Sequence, residues 1–109
     1  MQLRYLVMDY NGTLAVDGVF LPGVGDELVE LSRTLTLYIL TADTFGKVKA
    51  ETQGLPLKVT ITPKNDQAQA KKVFISKLGA EQTVAIGNGR NDRLMLKAAR
   101  FGLACIQTE

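Results

Sequence analysis

The stretch "VMDYNGTLAVDG", residues 7–18, contains the feature that decides how the chain folds. An apolar run ends on a single carboxylate, Asp9, and Asn11-Gly12 and Asp17-Gly18 follow it. Both pairs favour tight turns, and Asp-Gly between two short apolar runs is a strong hairpin signal. The stretch therefore predicts a buried strand that ends at Asp9, followed by a small β-hairpin flap within residues 13–23.

Strand-like and helix-like segments alternate along the rest of the chain. Apolar runs rich in Val, Ile and Leu lie at residues 3–8, 35–40, 57–61, 83–86 and 101–106, and their lack of alternation is typical of strands covered on both faces. Apolar residues at helical spacing lie between them. They are Val24, Leu28, Leu31 and Leu35; Phe45 and Val48; Ala70, Phe74 and Leu78, with Asn65 or Asp66 as cap and Gly79 as stop; and Leu94 and Ala98, near Met95 and Ala99. The order predicts an α/β domain with a mainly parallel five-stranded sheet.

Composition narrows the class of protein. With 109 residues and 46% hydrophobic content, the chain is expected to form one domain over residues 1–109. The net charge of +2 comes from scattered basic residues, so we expect no nucleic-acid partner. No long apolar stretch or signal peptide is visible, so we expect a cytoplasmic protein without membrane contact.

The chemistry open to the chain is limited by two residue counts. There is no histidine, which excludes Ser-His and Cys-His catalysis and His-ligated zinc. Cys105 is the only cysteine, and its apolar neighbours indicate a buried strand rather than a reactive thiol. Any chemistry must therefore use carboxylates, lysine, hydroxyls or a metal held by oxygen.

Polar residues follow three of the predicted strands. Asp9 ends the first strand, Thr41 the second, and Asn88 and Asp92 follow the fourth, where a helix is expected to start near Asn91. In an open parallel sheet, ligands collect at the carboxyl ends of the strands. Each residue alone is more typical of a turn or a cap, but their joint placement favours a pocket for phosphate and a divalent cation.

These motifs resemble the haloacid dehalogenase (HAD) superfamily over essentially the whole chain. "DYNGT" is similar to its first motif, with Asp9 as nucleophile; Thr41 matches the second, and "GNGRND" the acidic fourth. Lys71 fits the third motif best, with Lys72 or Lys64 as alternatives. Within the superfamily the chain most resembles small soluble P-type ATPase-like proteins, and residues 83–104 also resemble phosphoserine phosphatases.

The resemblance implies a three-layer Rossmann-like fold without a cap domain and a Mg²⁺-dependent phosphohydrolase. Asp9 would form an aspartyl phosphate, while Thr41, the Ala42 N–H and Lys71 would bind the phosphoryl group. Asp9, the Asn11 backbone carbonyl, Asn88 and, through water, Asp92 would hold Mg²⁺. The substrate would be a phosphorylated small molecule or a phosphoprotein. Without a cap, the flap, a large substrate or a second copy in a homo-oligomer would shield the site.

Two amides depart from the family pattern. Asn11 stands where phosphatases of the family have a proton-transferring acid, and such assistance contributes about 10²–10⁴-fold in rate, so we expect slow turnover. Asn88 replaces a carboxylate ligand, and both amides precede glycine, which favours deamidation to aspartate. The substitutions also suit a second hypothesis, a degenerate HAD module that binds phosphate or a partner protein. A phosphorelay receiver fits less well, because the candidate nucleophile is on the first strand.

Overall fold

A five-stranded parallel sheet is the framework of the computed structural model, which describes residues 2–42, 46–88 and 92–104. The strands are β1 (Tyr5–Asp9), β2 (Ala15–Val16), β3 (Val19–Phe20), β4 (Thr36–Thr41), β5 (Lys58–Ile61), β6 (Thr83–Gly87) and β7 (Phe101–Ala104). The main sheet has the order β5-β4-β1-β6-β7, and each neighbouring pair is parallel. The expected sheet is confirmed, with β1 at its centre.

Helices cover both faces of this sheet. They are α1 (Val24–Leu31), α2 (Lys47–Thr52), α3 (Gln67–Leu78) and α4 (Arg93–Ala98). Because side chains alternate along a strand, Leu6 and Met8 of β1 pack in one cluster with Leu28 of α1 and Val48 of α2. The neighbouring Val7 belongs to a second cluster, which contains Ile75 of α3 and Met95 of α4. The result is the expected three-layer arrangement.

The hairpin forms where the Asp-Gly signal predicts it. β2 and β3 pair antiparallel, and the turn between them is Asp17 and Gly18, with φ of 52° and 84°. Positive φ at both central residues is the requirement of the turn that best matches the twist of a two-residue hairpin. Between β1 and β4 the chain forms only this hairpin and α1.

Several local predictions need correction. Leu35 continues the helical spacing, yet α1 ends at Leu31 and the chain passes through turns into β4. The buried pair is Met95 of α4 and Ala99 directly after the helix, whereas Leu94 is exposed, so the apolar stripe is one position later than Leu94 suggests. The short 3₁₀ helix at Ala80–Gln82 has no counterpart in the predicted elements.

The cap and stop of α3 are only partly as expected. Asp66 precedes α3 in a left-handed conformation, but its side chain makes no capping hydrogen bond. Gly79 ends the helix, and its N–H donates to the Ile75 carbonyl. The predictions for Phe45, Asn91 and Cys105 concern positions outside the described residues. Within those residues, each helix falls short of the length and apolar character that crossing a membrane requires.

Candidate functional site

Three of the singled-out residues lie at the carboxyl edge of adjacent strands. Asp9 ends β1, Thr41 ends β4, and Asn88 follows β6 directly. β1 lies between β4 and β6. After β1 the chain forms β4 and β5 on one side of it, and later β6 and β7 on the other side. Open α/β sheets bind ligands at this switch in strand order. The edge is therefore where the fold itself favours a ligand.

Lys71 brings a buried positive charge from α3 to this edge. Its side chain faces the sheet one turn before Ile75, and both residues are buried. Its Nζ lies 3.0 Å from Asp9 Oδ1. The two alternative lysines, Lys72 and Lys64, are exposed. Of the three candidates, Lys71 is thus the one that the structure places against Asp9.

Asp92 is the second carboxylate on Lys71. Its Oδ1 lies 2.6 Å from the ammonium, and its Oδ2 accepts a hydrogen bond of 3.1 Å from the Asn88 N–H. The side chain is fully buried and does not cap α4, which begins at Arg93. A Cβ at Gly87 would lie 2.6 Å from Asp92 Oδ2, so only glycine leaves room for this carboxylate. Glycine at position 87 therefore has a direct steric reason.

The three charges shift one another's ionisation. The pKa of Asp9 is raised to about 6: burial has the largest effect and raises it, Lys71 lowers it, and the carboxylate of Asp92 raises it. Burial would lower the pKa of Lys71, but the adjacent Asp9 and Asp92 outweigh it and hold that pKa above its usual value. With both acids ionised, the cluster has two negative charges and one positive. This excess negative charge favours a cation beside Asp9.

The second oxygen of Asp9 is less tightly held than the first. Thr13 Oγ1 lies 3.4 Å from Asp9 Oδ2, a long hydrogen bond, and the Asp9 side chain keeps 12% of its surface exposed. Thr13 lies within the "DYNGT" motif, but no pattern in the sequence assigned it a role of its own. Oδ2 is consequently the oxygen placed to meet a substrate or a metal.

The far side of the edge is formed by Thr41, Ala42 and Thr62. Thr41 is buried, and its carbonyl accepts a hydrogen bond of 2.7 Å from the Thr62 N–H. The Thr62 hydroxyl is also buried and has no hydrogen-bond partner among the described residues. Sequence reasoning missed Thr62; the only signal is a threonine directly after a strand, before Pro63.

Asn11 is engaged with the hairpin rather than with the charge cluster. Its Oδ1 accepts a hydrogen bond of 2.8 Å from the Gly18 N–H, and the Gly12 N–H donates to the Ala15 carbonyl at 2.9 Å. Deamidation at Asn-Gly needs the glycine nitrogen to attack the asparagine side chain, and here both groups are hydrogen-bonded. The fold therefore opposes deamidation at Asn11. The second pair, Asn88-Gly89, extends beyond the described residues.

The donor set suits Mg²⁺, which prefers oxygen ligands, usually takes one or two carboxylates and keeps several waters. Asp9 Oδ2 supplies a carboxylate oxygen. The Asn88 side chain reaches the loop after β1, since a Cβ at Gly12 would lie 3.0 Å from its Nδ2. Both Asp92 oxygens are occupied by Lys71 and the Asn88 N–H, which suits contact through water. Within the described residues, no cluster of three or more His, Cys, Asp or Glu side chains could hold a metal.

Comparison with known proteins gives a structural match. No family model matches the sequence, and no curated protein does. Among solved structures, the chain is similar to one described as a HAD family hydrolase from Streptomyces avermitilis MA-4680, with a TM-score of 0.74. The match covers 94% of this chain and 67% of the other, at 20% identity. This chain has the HAD fold. Membership of the HAD superfamily and the narrower P-type ATPase-like relationship both stay predictions.

Proposed function

We propose that the chain is a Mg²⁺-dependent phosphohydrolase that acts through an aspartyl phosphate on Asp9. The buried contact of 3.0 Å between Lys71 and Asp9, at the ligand-binding edge of a HAD fold, carries this proposal. A buried ion pair contributes little net stability because desolvation offsets the attraction. A cluster with a strongly raised carboxyl pKa in such a place is instead characteristic of catalytic sites.

In the first step, Asp9 attacks the phosphorus of the substrate. Its pKa of about 6 leaves the carboxylate ionised at neutral pH, and Oδ2 is the oxygen that Lys71 does not hold. The bond from phosphorus to the leaving oxygen breaks with its electron pair. That oxygen takes a proton from water, because the Asn11 amide cannot give up a proton near neutral pH. Lys71 offsets the negative charge that the phosphoryl group brings.

In the second step, water attacks the phosphorus of the aspartyl phosphate. The bond between phosphorus and the Asp9 oxygen breaks, which releases phosphate and restores the carboxylate. Thr41 and the Ala42 N–H hold the phosphoryl oxygens in both steps. Asp9, the Asn11 carbonyl, Asn88 and, through water, Asp92 would hold Mg²⁺, which would neutralise negative charge at the site when bound.

The amide at position 11 determines the expected turnover rate and the leaving groups that are favoured. Without general acid assistance, turnover is slower by about 10²–10⁴-fold, and good leaving groups are favoured. The substrate is a phosphorylated small molecule or a phosphoprotein. Since the chain between β1 and β4 has only the hairpin and α1, the hairpin, a second copy or the substrate itself must exclude water.

Phosphate release from p-nitrophenyl phosphate and acetyl phosphate, with and without Mg²⁺, tests the proposal. The wild type should give a slow, metal-dependent rate that Asp9→Ala abolishes and Asn11→Asp raises. Asp26→Ala, an exposed acid on α1, is the matched control and should leave the rate unchanged. If neither the wild type nor Asn11→Asp releases phosphate, even from acetyl phosphate, the proposal is contradicted.

A second candidate is a module that binds phosphate without turnover. The hydrogen bond from Gly18 to Asn11 favours it, because the residue at the acid position serves the hairpin instead of the substrate. Such a module should bind a metal fluoride that mimics phosphate in a Mg²⁺-dependent way, yet release no phosphate from either donor. If Asp9→Asn also abolishes that binding, the phosphate lies at Asp9 in both candidates.

A further inference from the structure

The hairpin tip is fixed to the strand end that carries Asp9. The Gly18 N–H donates to Asn11 Oδ1 at 2.8 Å, and the Gly18 carbonyl accepts from the Tyr10 hydroxyl at 2.5 Å. Tyr10 is fully buried and its ring packs edge-on against Phe20 of β3. Both polar groups of one glycine are thus held by the two residues directly after Asp9.

The same hairpin is fixed to α2 from the other side. Glu51 Oε1 accepts a hydrogen bond of 2.9 Å from the Phe20 N–H, and Lys47 Nζ donates to the Asp17 carbonyl at 3.1 Å. Lys47 and Glu51 are four residues apart and so lie on one face of α2. A Cβ at Gly18 would lie 2.5 Å from Lys47 Cδ, so the lysine stem packs directly on that glycine.

These contacts make the hairpin a link between two loops. Asn11 lies in the loop after β1, and α2 follows the loop that begins at Ala42, after β4. In the proposed function, the Asn11 carbonyl of the first loop helps to hold Mg²⁺, and Thr41 and the Ala42 N–H at the start of the second bind the phosphoryl group. A hairpin that served only as a loose flap would need no bonds to α2. Here its residues are bonded at four points to Tyr10 and Asn11 on one side and to α2 on the other.

We propose that Lys47 and Glu51 are positioning residues that hold the hairpin against α2 and, through it, fix the Asn11 loop relative to the Thr41 loop. The mechanical coupling does not depend on the proposed function. Its effect on phosphate binding rests on that function. Two separate measurements are therefore needed.

Amide hydrogen exchange in the isotope-labelled, metal-free chain tests the coupling. Glu51→Ala should raise exchange about tenfold at the Phe20 amide and also at the Gly18 amide, although Glu51 does not bond to the latter. Conversely, Asn11→Ala should raise exchange at Phe20, since coupling between two sites is reciprocal. Glu51→Gln keeps an acceptor and should restore protection. Lys49→Ala, an exposed residue of the same helix, should change neither amide.

Independent contacts would give a different exchange pattern. If Glu51→Ala raises exchange only at the Phe20 amide, and Asn11→Ala only at the Gly18 amide, the hairpin does not couple α2 to the Asn11 loop. Unchanged exchange in Glu51→Ala would overturn the inference equally.

Tungstate, a phosphate mimic, tests the effect on the site in the presence of Mg²⁺. Its dissociation constant should rise at least about fivefold in Glu51→Ala and return in Glu51→Gln. Faster exchange with unchanged tungstate binding would overturn the positioning role. Absence of binding in the wild type would instead count against the proposed function, and the exchange data would still decide the coupling.

Discussion

Replacing Asp9 by asparagine is expected to stabilise the metal-free protein near neutral pH while abolishing its chemistry. The amide would keep the shape of the side chain and an oxygen that can accept from Lys71 Nζ. It would remove a negative charge that is nearly buried and close to the carboxylate of Asp92. Active sites commonly reduce stability in this way.

The size of the effect follows from the pKa of Asp9. That pKa rises from 3.8 to about 6, and at 1.36 kcal/mol per pH unit the ionised carboxylate costs the folded state about 3 kcal/mol. Because the folded pKa is the higher one, folded protein binds more protons than unfolded protein between these values. The free energy of unfolding of the wild type therefore falls as the pH rises from 3.8 to about 6. The variant has no carboxyl at position 9, so its free energy of unfolding does not fall for this reason.

Urea unfolding of both proteins in EDTA, at about pH 4 and about pH 7.5, measures the difference. The two free energies of unfolding should be similar at the lower pH, and the variant should be more stable by up to about 3 kcal/mol at the higher pH. Asp66→Asn, at an exposed and left-handed position, is the matched control. An Asp9→Asn variant that is no more stable near neutral pH, or equally stabilised at both, would refute the reasoning.

Three further predictions concern the same cluster. Lys71→Met should lower the free energy of unfolding by about 3–5 kcal/mol, because it leaves two carboxylates without their cation, whereas the exposed Lys72→Met should cost little. Gly87→Ala should cost about 1–3 kcal/mol in urea unfolding and weaken tungstate binding, since its methyl group displaces Asp92. In the metal-free protein, carbon NMR should show the Asp9 carboxyl titrating with a pKa of about 6.

Each of these three predictions has an outcome that would contradict it. Gly25→Ala is the control for glycine replacement, because a Cβ there meets nothing within 4 Å and α1 should gain up to about 1 kcal/mol. Equal effects at Gly25 and Gly87 would remove the steric argument. Similar losses at Lys71 and Lys72 would show that the buried ion pairs are not the cause. An Asp9 carboxyl that titrates at the ordinary aspartate pKa of 3.8 would contradict the dominance of burial.

The sheet and hairpin could be predicted because their signals are local. Unbroken apolar runs predicted the strands, although β7 is exposed instead of covered on both faces, and Asp17-Gly18 has the residue types that a two-residue turn requires. The helix limits were less predictable. Leu35 fits both a helical spacing and the start of a strand, and only the tertiary packing determines which one forms.

The site residues likewise fall into those that the sequence could predict and those that it could not. The strand ends placed Asp9, Thr41 and Asn88 on one edge, since parallel strands share a direction. The sequence favoured Lys71 but left Lys72 and Lys64 open, because only the packing of α3 against the sheet decides which lysine is buried. The contacts of Asn11 and Glu51 with the hairpin join separate elements of the chain, with no periodic pattern to mark them.

The central claim, that Asp9 is a nucleophile, is tested most directly by trapping the covalent intermediate. The chain would be incubated with acetyl phosphate and Mg²⁺, quenched, reduced with borohydride and mapped by peptide mass spectrometry. We predict a reduced product at position 9 that is absent without Mg²⁺ and absent in Asp9→Asn. A modified residue elsewhere, or no modification while phosphate is still released, would contradict the claim.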